Sequence, residues 1–425
     1  MPPAAGPATH TPSSTTLTPS NGPPIANPSR DSHFTKSLIS VTLAWLQAKT
    51  RRSAVAETRN RVAPFVGLAA HLGRGAQRVA TDLVVGRARS LPRTIGDLDP
   101  RSLSQIMGTT VTSLSVISGD AGTSSRARLA LSGDDVPDSV FVKMAAETAA
   151  TRMMGELGRL AETETRFYRE LSRELTGLPT SYGSAFDPVT GRFVLVLEDL
   201  AVDPCEFPDT LHPLTPDQAG LIIELLARLH ATFWERPPAW AYTNSADSTS
   251  LLTGSLAKMS ARRLAERTDI PIENGRFIID NCRAVTQLVD QPPHTVTHGD
   301  AHPGNVYFRN GEAGLLDWQF VRRGHPGREL AYTLITGMTT DDRRTHQREL
   351  LDVYRSALAA AGGPELDGDE LWDRYRMGAQ YPFVAPLIVA GAGGMQAEGI
   401  AMEGLRRGVA ALEDLDTVAL LQKAL

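Results

Sequence analysis

The chain has 425 residues, enough for two lobes at the usual ~100 to 200 residues per domain. Hydrophobic content of 41%, charged content of 21% and a net charge of -5 exclude collagen-like, wholly disordered and polytopic membrane classes. The only two cysteines, Cys205 and Cys282, stand far apart, which excludes a disulfide framework or a structural zinc site and fits a reducing cytoplasm.

Residues 1–29 carry no Lys, Arg, Asp or Glu and are rich in Pro, Ser, Thr, Ala and Gly. Such a segment buries too little apolar surface to offset its ordering entropy, so 1–35 is expected to be a disordered tail. It has neither the basic start nor the apolar stretch of a secretory signal. Residues 36–99 form a basic helical extension: between Arg30 and Arg93 the local net charge is about +9, against about -14 for the remainder. Two amphipathic helices are predicted there, around Leu38 to Leu46 and Val62 to Leu72. A weak contact with a membrane surface or an anionic partner is one reading of them; a solvated face packed on the main body is the other. Aromatic residues are too sparse for a nucleic-acid stacking surface.

From Pro100 the pattern becomes short strands, at Leu114 to Ile117, Arg126 to Ser132 and Ser139 to Met144, followed by one long helix from Ala145 to Leu175 and a strand from Phe193 to Leu197. Beyond Pro216 the apolar spacing is helical apart from one hairpin. No apolar run reaches the ~18 residues that span a bilayer; the nearest, Met377 to Ala397, is broken by Pro382 and Pro386 and reads as core. A strand-rich half, 100–200, thus precedes a larger helical half, 201–425.

The chemistry concentrates in His298-Gly299-Asp300-Ala301-His302-Pro303-Gly304-Asn305 and the hairpin that follows. Asn310-Gly311 between two apolar runs predicts a two-residue turn, because both central positions need positive φ. Arg309 then faces Glu312, Tyr307 faces Gly314 and Gly304 faces Asp317. Asn305 and Asp317 end one rung apart, with Asp300 on the loop before them. An amide oxygen beside a carboxylate suits a hard divalent cation, magnesium, and Asp300 suits a base that orients a hydroxyl. The spacing H-x-D-x-x-x-x-N followed by a second Asp has the layout of a protein-kinase catalytic loop.

With Gly299 after the histidine and Asp317-Trp318-Gln319 as the second motif, the chain resembles the aminoglycoside phosphotransferase and choline kinase superfamily, especially its ecdysteroid-kinase-like branch, over about residues 100 to 420. The resemblance implies an α+β, bilobal protein-kinase-like fold: a small N-lobe with an antiparallel sheet plus helix, and a larger, mainly helical C-lobe. It implies a small-molecule kinase that uses ATP and Mg2+ to phosphorylate a hydroxylated small molecule, with Asp300 as catalytic base and Asn305 and Asp317 as metal ligands. Lys143 sits alone in the apolar strand Phe141-Val142-Lys143-Met144, a costly place for an ammonium unless it meets phosphate or carboxylate. Glu164, in a segment similar to the family's E-x-x-F-Y helix, is its expected partner, with Glu162 as the alternative. Gly122, Ser124 and Ser125 lie where a strand turn would lay backbone N–H groups over phosphates, although an ordinary hairpin reads the same way. Glu198 and Leu200 fall on the segment that resembles the interlobe hinge, whose backbone meets adenine. His230 reads as structural, and His302 as either a loop-fixing or a substrate-facing group. Glu329 stands where the family has an Asp that braces the catalytic loop. Two rival functions remain: an inactive nucleotide-binding regulator, and a scaffold recruited to membranes by the basic extension.

Overall fold

The computed structural model describes residues 58–89, 91–393 and 396–425, so the tail 1–35, the helix expected around Leu38 to Leu46, and Met395 lie outside the described residues. Two helices, α1 (Thr58–Val85) and α2 (Pro100–Met107), precede the strands β1 (Thr110–Ala121), β2 (Ser124–Asp134) and β3 (Ser139–Ala145). Then come α3 (Ala149–Gly158), α4 (Leu160–Glu170), β4 (Ser181–Phe186) and β5 (Phe193–Glu198). The five strands make one antiparallel sheet in the order β1-β2-β3-β5-β4.

The second lobe begins with α5 (Pro216–Thr232), α6 (Ser250–Leu264), α7 (Arg276–Asp280) and α8 (Cys282–Val289). Strand β6 (Thr295–Thr297), the hairpin β7 (Val306–Arg309) and β8 (Glu312–Leu315), and β9 (Arg322–Gly324) carry the chain under the cleft. It ends in α9 (Pro326–Gly337), α10 (Thr340–Ala360), α11 (Gly368–Gly378), α12 (Gln380–Ala392), α13 (Glu398–Asp414) and α14 (Thr417–Ala424). No helix among the described residues is long and apolar enough to cross a membrane.

Local chemistry sets these boundaries. Asp99 and Ser102 cap α2 reciprocally, with Pro100 in its first turn; Thr215, Gln218 and Pro216 do the same for α5. In β2 the period-two alternation puts Ala127, Leu129 and Leu131 into a core with Leu103, Val142 and Val196, and turns Arg126 and Arg128 to the other face. That other face looks toward the second lobe, and Phe167 and Leu195 of the first lobe share the largest core with Ile222, Trp318 and Leu334 of the second. A third cluster, around Phe383, Leu387 and Leu405, holds α12 and α13 together.

Four expectations need correction. The long helix is two, because Arg159 adopts a left-handed conformation (φ 53°) that redirects the chain between α3 and α4. Strand β4 escapes a propensity reading because Ser181-Tyr182-Gly183-Ser184 is poor in β-formers; Gly183 is needed there, since a Cβ would lie 2.2 Å from the Ile106 carbonyl oxygen. The β6–β9 pair, three residues per strand, is too short to show a period. The hairpin register holds from Arg309–Glu312 to Val306–Leu315, and Asn310 and Gly311 both have positive φ, yet Gly304 does not face Asp317. A last bond from the Leu316 amide to the Asn305 carbonyl ends the pairing, after which Pro303–Asn305 forms a 3₁₀ turn and Asp317 flips to φ 61°.

Helix α1 packs against α3. His71 Nε2 lies 3.0 Å from the carbonyl oxygens of Glu156 and Leu157, and Arg78 pairs with Glu156 at 2.9 Å.

Candidate active site

Strand β3 delivers Lys143 to the cleft nearly fully buried, at 5% exposure. Its ammonium lies 2.7 Å from Glu164 Oε2 on α4 and 2.8 Å from Asp317 Oδ1 just beyond β8. Glu162 instead meets Arg166 at 3.3 Å and Arg78 at 3.5 Å, which settles the pairing in favour of Glu164. Aromatic packing joins the elements that carry these groups. Trp318 stacks on Phe167 at 3.9 Å with planes 5° apart, and lies 4.5 Å from the His298 ring. The residue after Asp317 is thus clamped between the helix of Glu164 and the catalytic loop, which fixes the carboxylate's direction.

Asp300 and Asn305 meet on the loop before β7. Asn305 Nδ2 donates to the Asp300 carbonyl at 3.0 Å and to its carboxylate at 3.2 Å, leaving the amide oxygen for another partner. Gly299 has φ 83°, and a Cβ there would stand 2.0 Å from the Phe320 carbonyl oxygen, so only glycine lets the loop pass. His298 locks the loop from below: Nε2–H donates to the Leu316 carbonyl at 2.8 Å, and Nδ1 accepts from the Asp300 amide at 3.3 Å. Glu329 performs the bracing despite its longer arm. Its oxygens accept from the amides of Gly299 at 2.6 Å and His298 at 3.1 Å, and from His230 Nε2 at 2.8 Å. His230 is buried and held on its other side by the Tyr354 hydroxyl at 2.9 Å, a structural role. His302 Nδ1 accepts from the Gly304 amide at 3.1 Å, which fixes the loop, while Nε2 stands 3.8 Å from Asp300.

Charge is unevenly held here. Burial, with the Asp317 charge adding to it, pushes the Asp300 carboxyl up to about 8 against hydrogen bonds from Tyr332 and Asn305. Burial likewise raises Glu164 to about 7 although Lys143 opposes it. Burial would also raise Asp317, but Lys143 holds it below the usual carboxylate range.

Above these residues lies a cleft of about 290 Å³, lined by Lys143, Asn305 and Asp317 below and by Glu198, Asp199 and Leu200 along the interlobe strand. The Glu198 side chain pairs with Arg309, and its amide donates to the Thr180 carbonyl at 2.8 Å, so neither group is available to a nucleotide base. Asp199 is held by Arg128 at 2.8 Å and Ser139 at 2.7 Å. Ser124 lines a small pocket beside Lys143 and Glu164, and Gly122 donates back to the Ser124 carbonyl at 2.9 Å in the turn. Ser125 pairs opposite Met144 on the face of Ala127 and Leu129, so its hydroxyl points away from Lys143 and only its backbone is at the turn. Sequence reasoning missed Arg126, Arg128 and Phe141, which line the cleft. The signal was present, because the strand register sets Arg126 directly opposite Lys143 and Arg128 opposite Phe141.

The arrangement can hold a polyanion against Lys143 and present two hard oxygen ligands and a base beneath it. A family model described as a phosphotransferase enzyme family matches residues 121–377, more than half the chain, and the chain belongs to that family. The match is at the level of the family, not of the ecdysteroid-kinase-like branch. Among solved structures, the chain is similar to the choline kinase LicA of Streptococcus pneumoniae, at 15% identity over 72% of this chain and 94% of that one, with a TM-score of 0.42. It is also similar to a choline/ethanolamine kinase family protein of Mesorhizobium loti (13% identity, 76% and 97% covered, TM-score 0.44) and to the macrolide 2'-phosphotransferase MphH of Brachybacterium faecium (16%, 73% and 95%, 0.40). No curated protein matches the chain. Family membership rests on the sequence match, not on these distant likenesses.

Proposed function

We propose that the protein transfers the γ-phosphate of ATP to a hydroxyl group of a small molecule, with Mg2+ as the accompanying ion. The observation that carries this reading is the convergence of Lys143 on Glu164 and Asp317 at one end of the cleft, with Asn305 on the cleft wall in contact with Asp300 behind it. Lys143 would hold nucleotide phosphates as a point charge, kept protonated because its two carboxylates outweigh burial. The donor set fits magnesium: the amide oxygen of Asn305 and the carboxylate of Asp317 are hard ligands. When bound there, Mg2+ neutralises phosphate charge.

Asp300 orients the acceptor hydroxyl and takes its proton as the new P–O bond forms, and ADP leaves as the bond to the β-phosphate breaks. Phosphoryl transfer needs little covalent help from protein, so rigid placement of these side chains supplies much of the rate. An inactive regulator has less support, since the lysine, its carboxylate partner, the base and both metal-ligand positions are intact. Asp300→Ala should reduce turnover by at least ~10³-fold while leaving ATP affinity within a few-fold. Coupled ADP release and equilibrium nucleotide binding measure the two quantities, and an unchanged rate would remove Asp300 as the base.

A further inference from the structure

On the far side of the catalytic loop a second cavity, of about 320 Å³, opens against α6, α8, β9 and α12. Tyr381 forms the wall nearest the loop. Its hydroxyl donates to the Gly299 carbonyl at 3.3 Å, and its ring meets that of Tyr332 at 4.8 Å. The Tyr332 side chain in turn interacts with the Asp300 carboxyl. Base and cavity are therefore linked through two aromatic side chains. Val289, Phe320, Val384 and Ile388 make the body of the cavity apolar.

Four charged residues line it, and three are already satisfied. Asp247 accepts from the Thr249 amide at 3.0 Å and faces Arg322 at 3.6 Å. Asp290 accepts from the Ser245 amide. Arg322 also donates to the Val321 carbonyl at 2.9 Å and lies over the Tyr242 ring. Arg328 differs. It is 7% exposed, its guanidinium lies 4.5 Å over the face of Tyr381, and among the described residues it has no hydrogen-bond or carboxylate partner. A largely buried guanidinium that faces a cavity without a paired anion is ready to take one, and its planar fork matches a carboxylate through two parallel bonds.

We infer that this cavity binds the phosphoryl acceptor and that the acceptor is a hydroxylated carboxylic acid with an apolar body, its carboxylate on Arg328 and its hydroxyl at Asp300. The inference rests on the kinase reading above and adds the acceptor class to it. The acceptor oxygen bonds to the γ-phosphorus, the bond from that phosphorus to the leaving ADP oxygen breaks, and the hydroxyl proton passes to the Asp300 carboxylate. The acidic balance of the catalytic part of the chain points the other way, to a cation, but both acids in the cavity already have donors.

The test uses the full chain with Mg-ATP and a panel of medium-chain hydroxy fatty acids, each with its methyl ester and the matching amino alcohol. ADP release gives kcat/KM, and calorimetry gives acceptor affinity without turnover. The acid should exceed its ester at least ~10-fold in both measures, and the amino alcohol by more. Arg328→Gln should erase the difference, and Arg328→Lys should keep part of it. Should Arg328→Gln fail to fold, the wild-type comparison of acid, ester and amine decides alone. Esters or amines that match or surpass the acids overturn the inference and leave the kinase reading standing. Acids that bind through Arg328 without ADP release support the site and sink the kinase reading. Acids that neither bind nor promote ADP release overturn the inference.

Discussion

At pH 7 the Asp300 carboxyl, raised to about 8 by burial and the neighbouring Asp317 charge, retains its proton in the free enzyme. A cation between Asn305 and Asp317 removes the second of these causes, so Asp300 should lose that proton as the metal–nucleotide complex binds. Calorimetry of that binding in two buffers of different ionisation enthalpy should report release of up to about one proton at pH 7 and progressively fewer above pH 8. Asp300→Asn should abolish the buffer dependence; identical heats in both buffers for the wild type would show that binding leaves the protonation of Asp300 unchanged. Glu329 can be tested at the same scale. Its carboxylate satisfies two buried amides and His230, so Glu329→Ala leaves three buried donors unmatched and should cost about 3 kcal/mol of unfolding free energy together with a large loss of kcat. Chemical denaturation and steady-state kinetics check this, and a variant with full stability and activity would show the loop to be held by other contacts.

Helix α9 starts on a histidine cap. His325 Nδ1 accepts from the Gly327 amide at 3.0 Å, which requires the unprotonated ring. Burial, with the Arg374 charge second, pushes His325 down to about 3. A base whose folded pKa lies below its unfolded value of about 6.5 stabilises the fold above 6.5, and that contribution is lost as pH falls toward 3. At pH 5 the loss is roughly 2 kcal/mol. His325→Asn keeps the acceptor without the titration and should flatten the decline of stability between pH 6.5 and 4; urea midpoints for the two proteins across that range would show an unchanged slope if the cap does not titrate. His302, lowered to about 4, contributes a remaining slope in both. The same elements show what a chain can disclose unaided. Asn310-Gly311 and the apolar residues around it dictate one turn and one register, so the hairpin could be read directly. The conformation of the loop from His298 to Asn305 was legible for the same reason, since Gly299 and the spacing to Asn305 are local demands. The bend at Arg159, the strand at Gly183 and the turn of the Ser125 side chain into the sheet's core depend on what packs against them, namely Tyr242, Ile106 and Met144. No local period carries that information. Arg328 was invisible as a site because its meaning lies in the partner it lacks.

For the molecule as a whole, the described part of the basic extension, from Thr58 onward, packs as part of the first lobe. Asp82, on α1, is completely buried and takes hydrogen bonds from Arg192, one of them 2.6 Å, and from Arg152, with Arg93 at 3.5 Å. Arg192 precedes β5 directly and Arg152 lies on α3, so one carboxylate ties the extension to the sheet and to the helix that leads into α4. Within the extension itself, Arg93 turns to Asp82, Arg78 pairs with Glu156 at 2.9 Å and Arg89 with Asp187 at 2.8 Å, so part of its positive charge is accounted for by pairing with the first lobe. A buried pair broken on one side costs about 3 to 5 kcal/mol, because the remaining charges stay desolvated. Asp82→Asn leaves Arg152 and Arg192 without their anion and should lower stability by that amount, and through α3 and α4 it should loosen Glu164 and weaken ATP binding without direct contact with the cleft. Adding Arg192→Gln to Asp82→Asn should recover part of the loss, since it removes one of the stranded cations. Thermal unfolding and nucleotide titration of the single and double variants measure both effects. Equal stability of Asp82→Asn and wild type would mean that the extension is an appendage, and the arginines would then need partners from outside the chain.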